Sequence, residues 1–212
     1  MYLSRLLPRI LSRDANVDQT GQYHIRSLYF DDAYDSALSD KIAGVENRDK
    51  YRIRIYNFSD KQIQLERKSK RGDYIAKTSI GITRMLAEQI MAGDAGGLEK
   101  APHPLLRDMY RLLLHEQLRP AVIVDYVREP FTHPAENTRV TLDKQLRTGN
   151  MAHDLFDPQL PTIPVLEGET TILEVKYDAY LPDMLVPLLS SVAAQRSAIS
   201  KYTLCRRYQF DY

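Results

Sequence analysis

Between Lys50 and Ile55 basic and apolar side chains alternate, as Lys50-Tyr51-Arg52-Ile53-Arg54-Ile55. On an extended strand this puts Lys50, Arg52 and Arg54 on one face and Tyr51, Ile53 and Ile55 on the other. The next stretch repeats the pattern with a carboxylate added. Gln64, Glu66, Lys68 and Lys70 share a face, Ile63 and Leu65 lie opposite, and Arg67 is expected to reach solvent. Four further segments group polar side chains in the same way: Lys77 with Ser79, Tyr126 with Arg128, Arg139 with Thr141 and Asp143, and Glu174 with Lys176. Arginine grips phosphate oxygens in pairs and lysine supplies a point charge. A carboxylate beside lysines, as in Glu66/Lys68 and Glu174/Lys176, is of the type that holds a hard divalent cation bridging phosphate oxygens; the same triplets also read as ordinary salt bridges. Any one charged face would simply be solvated. Six of them, each with an apolar back, imply charged faces that meet inside a barrel. Glu66, Asp143 and Glu174 offset part of the positive charge there, and the remainder calls for an anionic ligand.

The elements that would position these residues follow from periodicity. Strands are expected at 23–31, 48–56, 61–70, 74–80, 121–129, 138–143, 170–177 and 201–209. Residues 1–13 read as the tail of an amphipathic helix, and 33–43 as a short helix ending at Gly44. Thr83 caps a helix over 84–92, and Pro104 opens another to about 117, with Leu105, Leu106, Met109, Leu112 and Leu113 facing inward. Leu181-Pro182 starts a short helix that Pro187 kinks. The stretches 14–22 and 149–169 read as loops. The expected fold is α+β: a single domain over 1–212, with a closed antiparallel β-barrel tunnel of about eight strands and flanking helices.

Composition narrows the function. The net charge of +1 lacks the basic excess of a nucleic-acid binder. No apolar run reaches the ~20 residues that span a bilayer, and the first residues are too interrupted for a signal peptide. The single cysteine, Cys205, makes no internal disulfide, which fits a reducing cytoplasm; in an expected terminal strand it reads as buried packing. The five histidines show no metal-ligand spacing, and no Gly-rich phosphate loop is present.

Several segments together resemble the VTC domain, the domain named for the vacuolar transporter chaperone complex. Tyr23-His-Ile-Arg-Ser-Leu-Tyr-Phe-Asp31 resembles its opening signature and Lys50-Tyr-Arg-Ile-Arg-Ile-Tyr56 its basic strand. Leu65-Glu-Arg-Lys-Ser-Lys-Arg71 with Lys77 is similar to the next hairpin. Arg139-Val-Thr-Leu-Asp143, Leu173-Glu-Val-Lys176 and Ser200-Lys-Tyr202 follow in the family's order. The resemblance implies a triphosphate-tunnel fold related to the CYTH proteins. It also implies a transferase activity, polyphosphate synthesis from ATP with a divalent metal, manganese or magnesium. By that implication Arg52, Arg54, Lys68, Lys77, Arg128 and Lys201 line the tunnel and hold the reacting phosphates, and Lys50, Lys70, Arg139 and Lys176 add further contacts to substrate. Glu174 is the implied metal ligand, with Glu66 a second candidate. The implied partners are a nucleoside triphosphate and polyphosphate, with room for a membrane-protein partner encoded elsewhere. Two alternatives stand beside the polymerase: a tri- or polyphosphate hydrolase in the same tunnel, and a non-catalytic polyphosphate-binding module. Family members open with a strand carrying its own Glu and Lys, whereas this chain starts within the helix that follows. Either that strand is encoded upstream of this start or it is absent, and its absence would leave an open sheet edge that invites pairing with a second copy.

Overall fold

The computed structural model describes residues 2–149, 154–192 and 194–207. Its nine strands are β1 (Ser12–Arg13), β2 (Tyr23–Asp31), β3 (Arg48–Tyr56), β4 (Ser59–Arg71), β5 (Tyr74–Gly81), β6 (Arg119–His133), β7 (Thr138–Gly149), β8 (Ile163–Pro164) and β9 (Ile172–Lys176). The helices are α1 (Tyr2–Leu6), α2 (Ser36–Ile42), α3 (Arg84–Met91), α4 (Pro104–His115), α5 (Val186–Ser190) and α6 (Lys201–Arg207). The strands hydrogen-bond in the order β5-β4-β3-β2-β6-β7-β8, with β1 added to β6 and β9 to β7. The α+β class therefore stands. The closed barrel does not: among the described strands β5 pairs with β4 alone, so the antiparallel sheet keeps an open edge there.

The chain divides into two compact units. The larger comprises Ile25–Asp125, Arg147–Val165 and Lys201–Tyr212, and the smaller Met1–His24, Tyr126–Leu146 and Leu166–Ser200.

In the larger unit two tight turns make the β3-β4-β5 meander. Asn57 and Phe58 both take left-handed backbone angles, the geometry of a two-residue hairpin turn whose twist matches the strands. Gly72, at φ +56°, supplies the same freedom between β4 and β5. Ile53, Ile55, Ile63 and Leu65 bury their side chains against Ala87 and Ile90 of α3 and Leu105, Met109 and Leu112 of α4. Truncating one of these buried aliphatic side chains to alanine would cost roughly 2–5 kcal/mol. Thr83 caps α3 by accepting from the Leu86 amide at 3.2 Å, and Pro104 opens α4 in its first turn. Arg67 departs from expectation. It bonds Asp108 of α4 at 2.5 Å and ties β4 to that helix rather than reaching freely into solvent.

The smaller unit pairs β9 with β7, so that Thr141 faces Glu174 and Arg139 faces Lys176. Its core joins Leu3, Leu7 and Leu11 to Phe131, Val140, Leu142 and Leu185. The helix read over 1–13 is shorter than expected: α1 passes into one 3-10 turn at Leu7–Arg9, with Pro8 in its first turn, and Ser12–Arg13 then pairs with Phe131–Thr132 as a strand. Pro8 donates no backbone N–H, and strand pairing takes up the backbone groups beyond it. Pro187 lies in the first turn of α5, where a missing N–H costs nothing, so it starts a helix instead of kinking one.

The expected strand at 201–209 is a helix over Lys201–Arg207; residues 208 and 209 lie outside the described chain. Tyr202, Cys205 and Arg206 are its buried residues, at the i, i+3, i+4 spacing of one helical face. Tyr and Thr suggested a strand, but packing of that face decides. Among the described residues no helix is long and apolar enough to cross a membrane.

Candidate functional site

In the larger unit strand register gathers the basic side chains into rows. Tyr29 of β2 faces Arg52, and Ser27 faces Arg54. Across β3 and β4, Arg54 faces Gln64, Arg52 faces Glu66 and Lys50 faces Lys68. Across β4 and β5, Glu66 faces Ser79 and Lys68 faces Lys77. Directly paired residues share a face, so the sheet carries a row Tyr29–Arg52–Glu66–Ser79 next to a row Lys50–Lys68–Lys77. The opposite face of these strands is the apolar one packed on α3 and α4.

Glu66 is the hub of this face and is only 2% exposed. Its carboxylate accepts from Arg52 Nε at 2.6 Å, meets Lys77 Nζ at 2.5 Å and lies 3.9 Å from an Arg54 nitrogen. Burial alone would push the Glu66 carboxyl up, but the charges of Arg52 and Arg54 and the bond from Lys77 hold it down at about 2. Arg52 also donates to the Tyr29 hydroxyl at 2.6 Å. Burial would raise the Tyr29 phenol, yet Arg52 and Arg54 outweigh it and the net shift is downward, with Lys201 adding to it. Arg54 Nε donates to Ser27 Oγ at 3.0 Å.

Helix α6 borders the same face. The Tyr202 ring lies 5.1 Å from that of Tyr29 and 4.5 Å from the Lys50 ammonium, and its hydroxyl donates to Asp31 at 2.5 Å. Burial pushes the Asp31 carboxyl up against these donors. Lys70 continues the β4 face one row further, opposite Arg48 and Ile75.

The smaller unit holds a second group. Arg128 grips Asp143 with two bonds, at 2.7 and 2.8 Å, and lies 3.6 Å from Glu174, with its guanidinium 5.3 Å from the Tyr126 ring centroid. Burial would weaken the Arg128 proton, but Asp143, Tyr126 and Glu174 hold it far above the ordinary arginine range. Lys176 reaches Glu174 at 3.1 Å. Arg139 pairs with Asp14 at 2.5 Å.

These contacts sort the metal candidates. Glu66 does not fit a metal ligand, because it is buried and each of its oxygens is held within 2.6 Å of a cationic side chain. Glu174 fits better. It is partly exposed, its cationic neighbours Arg128 and Lys176 stand further off at 3.6 and 3.1 Å, and directly opposite it lies the buried Thr141 hydroxyl, which has no hydrogen-bond partner among the described residues. One carboxylate with phosphate and water oxygens suffices for a hard divalent cation. No cluster of three or more His, Cys, Asp or Glu residues that could hold a metal occurs among the described residues.

Nine of the twelve expected residues fall into two groups, while Lys70 lies one row beyond the first, Lys201 opens α6, and Arg139 pairs instead with Asp14. Arg52, Arg54, Lys50, Lys68, Lys77 and Glu66 share one face in the larger unit, and Arg128, Glu174 and Lys176 meet in the smaller. The alternation did not flag Tyr29, Asp31 or Tyr202, although Tyr29 and Asp31 follow Ser27 at period two on β2. Cys205 is buried, and burial pushes its thiol up to about 12, far from a nucleophile. His103 and His133 each accept a nearby backbone N–H at 3.1 Å.

Comparison with known proteins agrees with the signatures. No curated protein matches the chain. Among solved structures, one of a candidate adenylate cyclase from Bacillus halodurans is similar, at 14% identity over 71% of this chain and 68% of that one, with a TM-score of 0.45. The family model of the VTC domain matches residues 2–210, nearly the whole chain and both units, and the protein therefore belongs to the VTC domain family.

Proposed function

We propose that the protein binds a linear chain of phosphates on the basic face of the larger unit and transfers the terminal phosphate of a nucleoside triphosphate, ATP, onto polyphosphate. The observation that carries this reading is the register of β3, β4 and β5. It sets three lysines side by side next to Arg52 and Arg54, with Glu66 as the carboxylate among them. Like charges paired directly across strands destabilise a sheet, and an anion lying along the row relieves that repulsion. A polyphosphate offers negative charge at regular intervals along a line, which suits a row better than a single pocket.

The chemistry asks little covalent work of the protein. The attacking group is a phosphate oxygen of the polymer end, so no side-chain nucleophile is required. Arginine and lysine hold the donor and acceptor in line and offset the charge that spreads over the transferring group. A divalent cation, when bound, would add Lewis-acid stabilisation of phosphate oxygens; within the smaller unit, taken by itself, Glu174 with Thr141 opposite it would be the residues to hold such an ion.

Incubating the pure protein with ATP and manganese tests the reading. Polymer formation supports the polymerase. Release of inorganic phosphate without polymer assigns hydrolysis instead. Retention of tripolyphosphate with no turnover assigns a binding module, and absence of both binding and turnover overturns the site.

A further inference from the structure

Lys50 has a less favourable setting for a charge than Lys77 of the same row. Lys77 has Glu66 at 2.5 Å and is more than half exposed. Lys50 instead points its ammonium at the ring of Tyr202, 4.5 Å away, on the half-buried side of the row. The groups around it are mostly of its own sign: Lys41 from α2, Arg48 from its own strand and Lys68 from β4. Asp31 of β2 is the favourable neighbour. That carboxylate already accepts from the Tyr202 hydroxyl at 2.5 Å, from the amides of Ala37 and Leu38 at 2.8 and 3.2 Å and from that of Asp32 at 3.0 Å.

We propose that anion binding at the Lys50–Lys68–Lys77 row is coupled to proton uptake by Lys50, so that a phosphate chain enters together with one proton. The inference rests on the proposed function and deepens it. Without an anion, a charged Lys50 is half-buried among three cations, a penalty that its contact with the Tyr202 ring and the charge of Asp31 offset only in part. With a phosphate oxygen across the row, the same ammonium gains a charge-assisted contact. Burial, followed by Lys41, Arg48 and Lys68, already lowers the Lys50 ammonium to about 7. At pH 8 roughly nine-tenths of Lys50 would then be neutral before binding. A bound anion pulls the equilibrium back toward the charged form. Arginine in the same place would stay charged throughout and show no such coupling.

The test is calorimetric titration of the full chain with tripolyphosphate at pH 8, without metal, in two buffers of different ionisation enthalpy. The number of protons exchanged is compared between the wild type and Lys50→Arg. The ligand gains or loses its own protons equally in both, so the difference isolates Lys50. The expected difference is about 0.9 proton more uptake by the wild type. Wild-type affinity should fall by up to about tenfold per pH unit above pH 7.5 relative to Lys50→Arg. Lys50→Met provides a second variant: it should also lose the uptake, and it should bind more weakly at pH 6. Equal proton exchange by the wild type and both variants overturns the coupling while leaving the phosphate site standing. Absence of tripolyphosphate binding at both pH 6 and pH 8 overturns the site itself and the coupling with it.

Discussion

Replacing Glu66 by glutamine keeps the shape of the side chain and removes a charge that Arg52, Arg54 and Lys77 share. Two routes give the size of the effect. Holding the carboxyl at about 2 against 4.5 for the free group corresponds to about 3 kcal/mol in favour of its charged form. Removing one partner of a buried ion pair typically costs about 3–5 kcal/mol. Lys77 is more than half exposed and water screens its share, so the lower figure is the better guide. For a chain of this size a loss of about 3 kcal/mol lowers the melting temperature by roughly 6–12 °C. The assay is thermal unfolding at pH 7, with and without tripolyphosphate, at constant ionic strength. Glu66→Gln should melt well below the wild type, and tripolyphosphate should raise its melting temperature more than the wild type's, because the anion replaces the missing charge. The acid limb carries the sign. Glu66 is depressed in the folded state, so its contribution is present above about pH 4.5 and lost as pH falls toward 2; the two proteins should converge there. A mutant melting within about 2 °C of the wild type at pH 7, or an anion shift no larger than the wild type's, would show that Glu66 does not hold this cluster together.

Arg52→Ala or Arg54→Ala should weaken tripolyphosphate binding by about 1.5–3 kcal/mol through loss of a charge-assisted contact; unchanged affinity of both variants in a titration would remove β3 from the site. Glu174→Gln should abolish manganese-dependent turnover while leaving metal-free tripolyphosphate binding within about twofold, and wild-type turnover by this mutant would clear Glu174 of a metal role. Tyr29→Phe should leave the fold intact and reduce tripolyphosphate affinity about threefold to tenfold, since Arg52 loses one of its fixing bonds; unchanged affinity would mean that Glu66 alone orients Arg52.

The strands that carry the basic face were legible because one face is polar and the other packs on helices. Period two in Lys50–Ile55 and in Ile63–Lys70 is imposed by that division, and the register places Arg52 beside Glu66 without further information. β2 hid its part. It is buried along nearly its whole length, so Ser27, Tyr29 and Asp31 show no polar–apolar contrast with their neighbours. α6 was misread because seven residues span two turns, too few for a 3.6 period to stand out against Tyr and Thr. The partner of Arg67 was illegible for another reason: Asp108 is 41 residues away, and only the docking of α4 brings it near.

Both groups of basic residues share one device. Arg52 is bonded to Glu66 and to Tyr29, and Arg128 is bonded twice to Asp143. A half-buried guanidinium fixed in this way has already lost the rotational freedom that it would otherwise lose on meeting a ligand. The carboxylate also keeps the arginine from repelling its neighbours while no anion is present. The same arrangement limits affinity, because part of each positive charge is neutralised before a phosphate arrives. For an enzyme that must pass a polymer along its surface, that limit is useful: contacts tight enough to orient but weakened by an internal carboxylate let the phosphate chain shift register. A pure storage or capture module gains nothing from it. Tighter tripolyphosphate binding by Glu66→Gln at a temperature where it stays folded, joined to slower polymer elongation, is the pairing that this argument requires. If binding and elongation both rise or both fall in that mutant, the carboxylate serves stability alone.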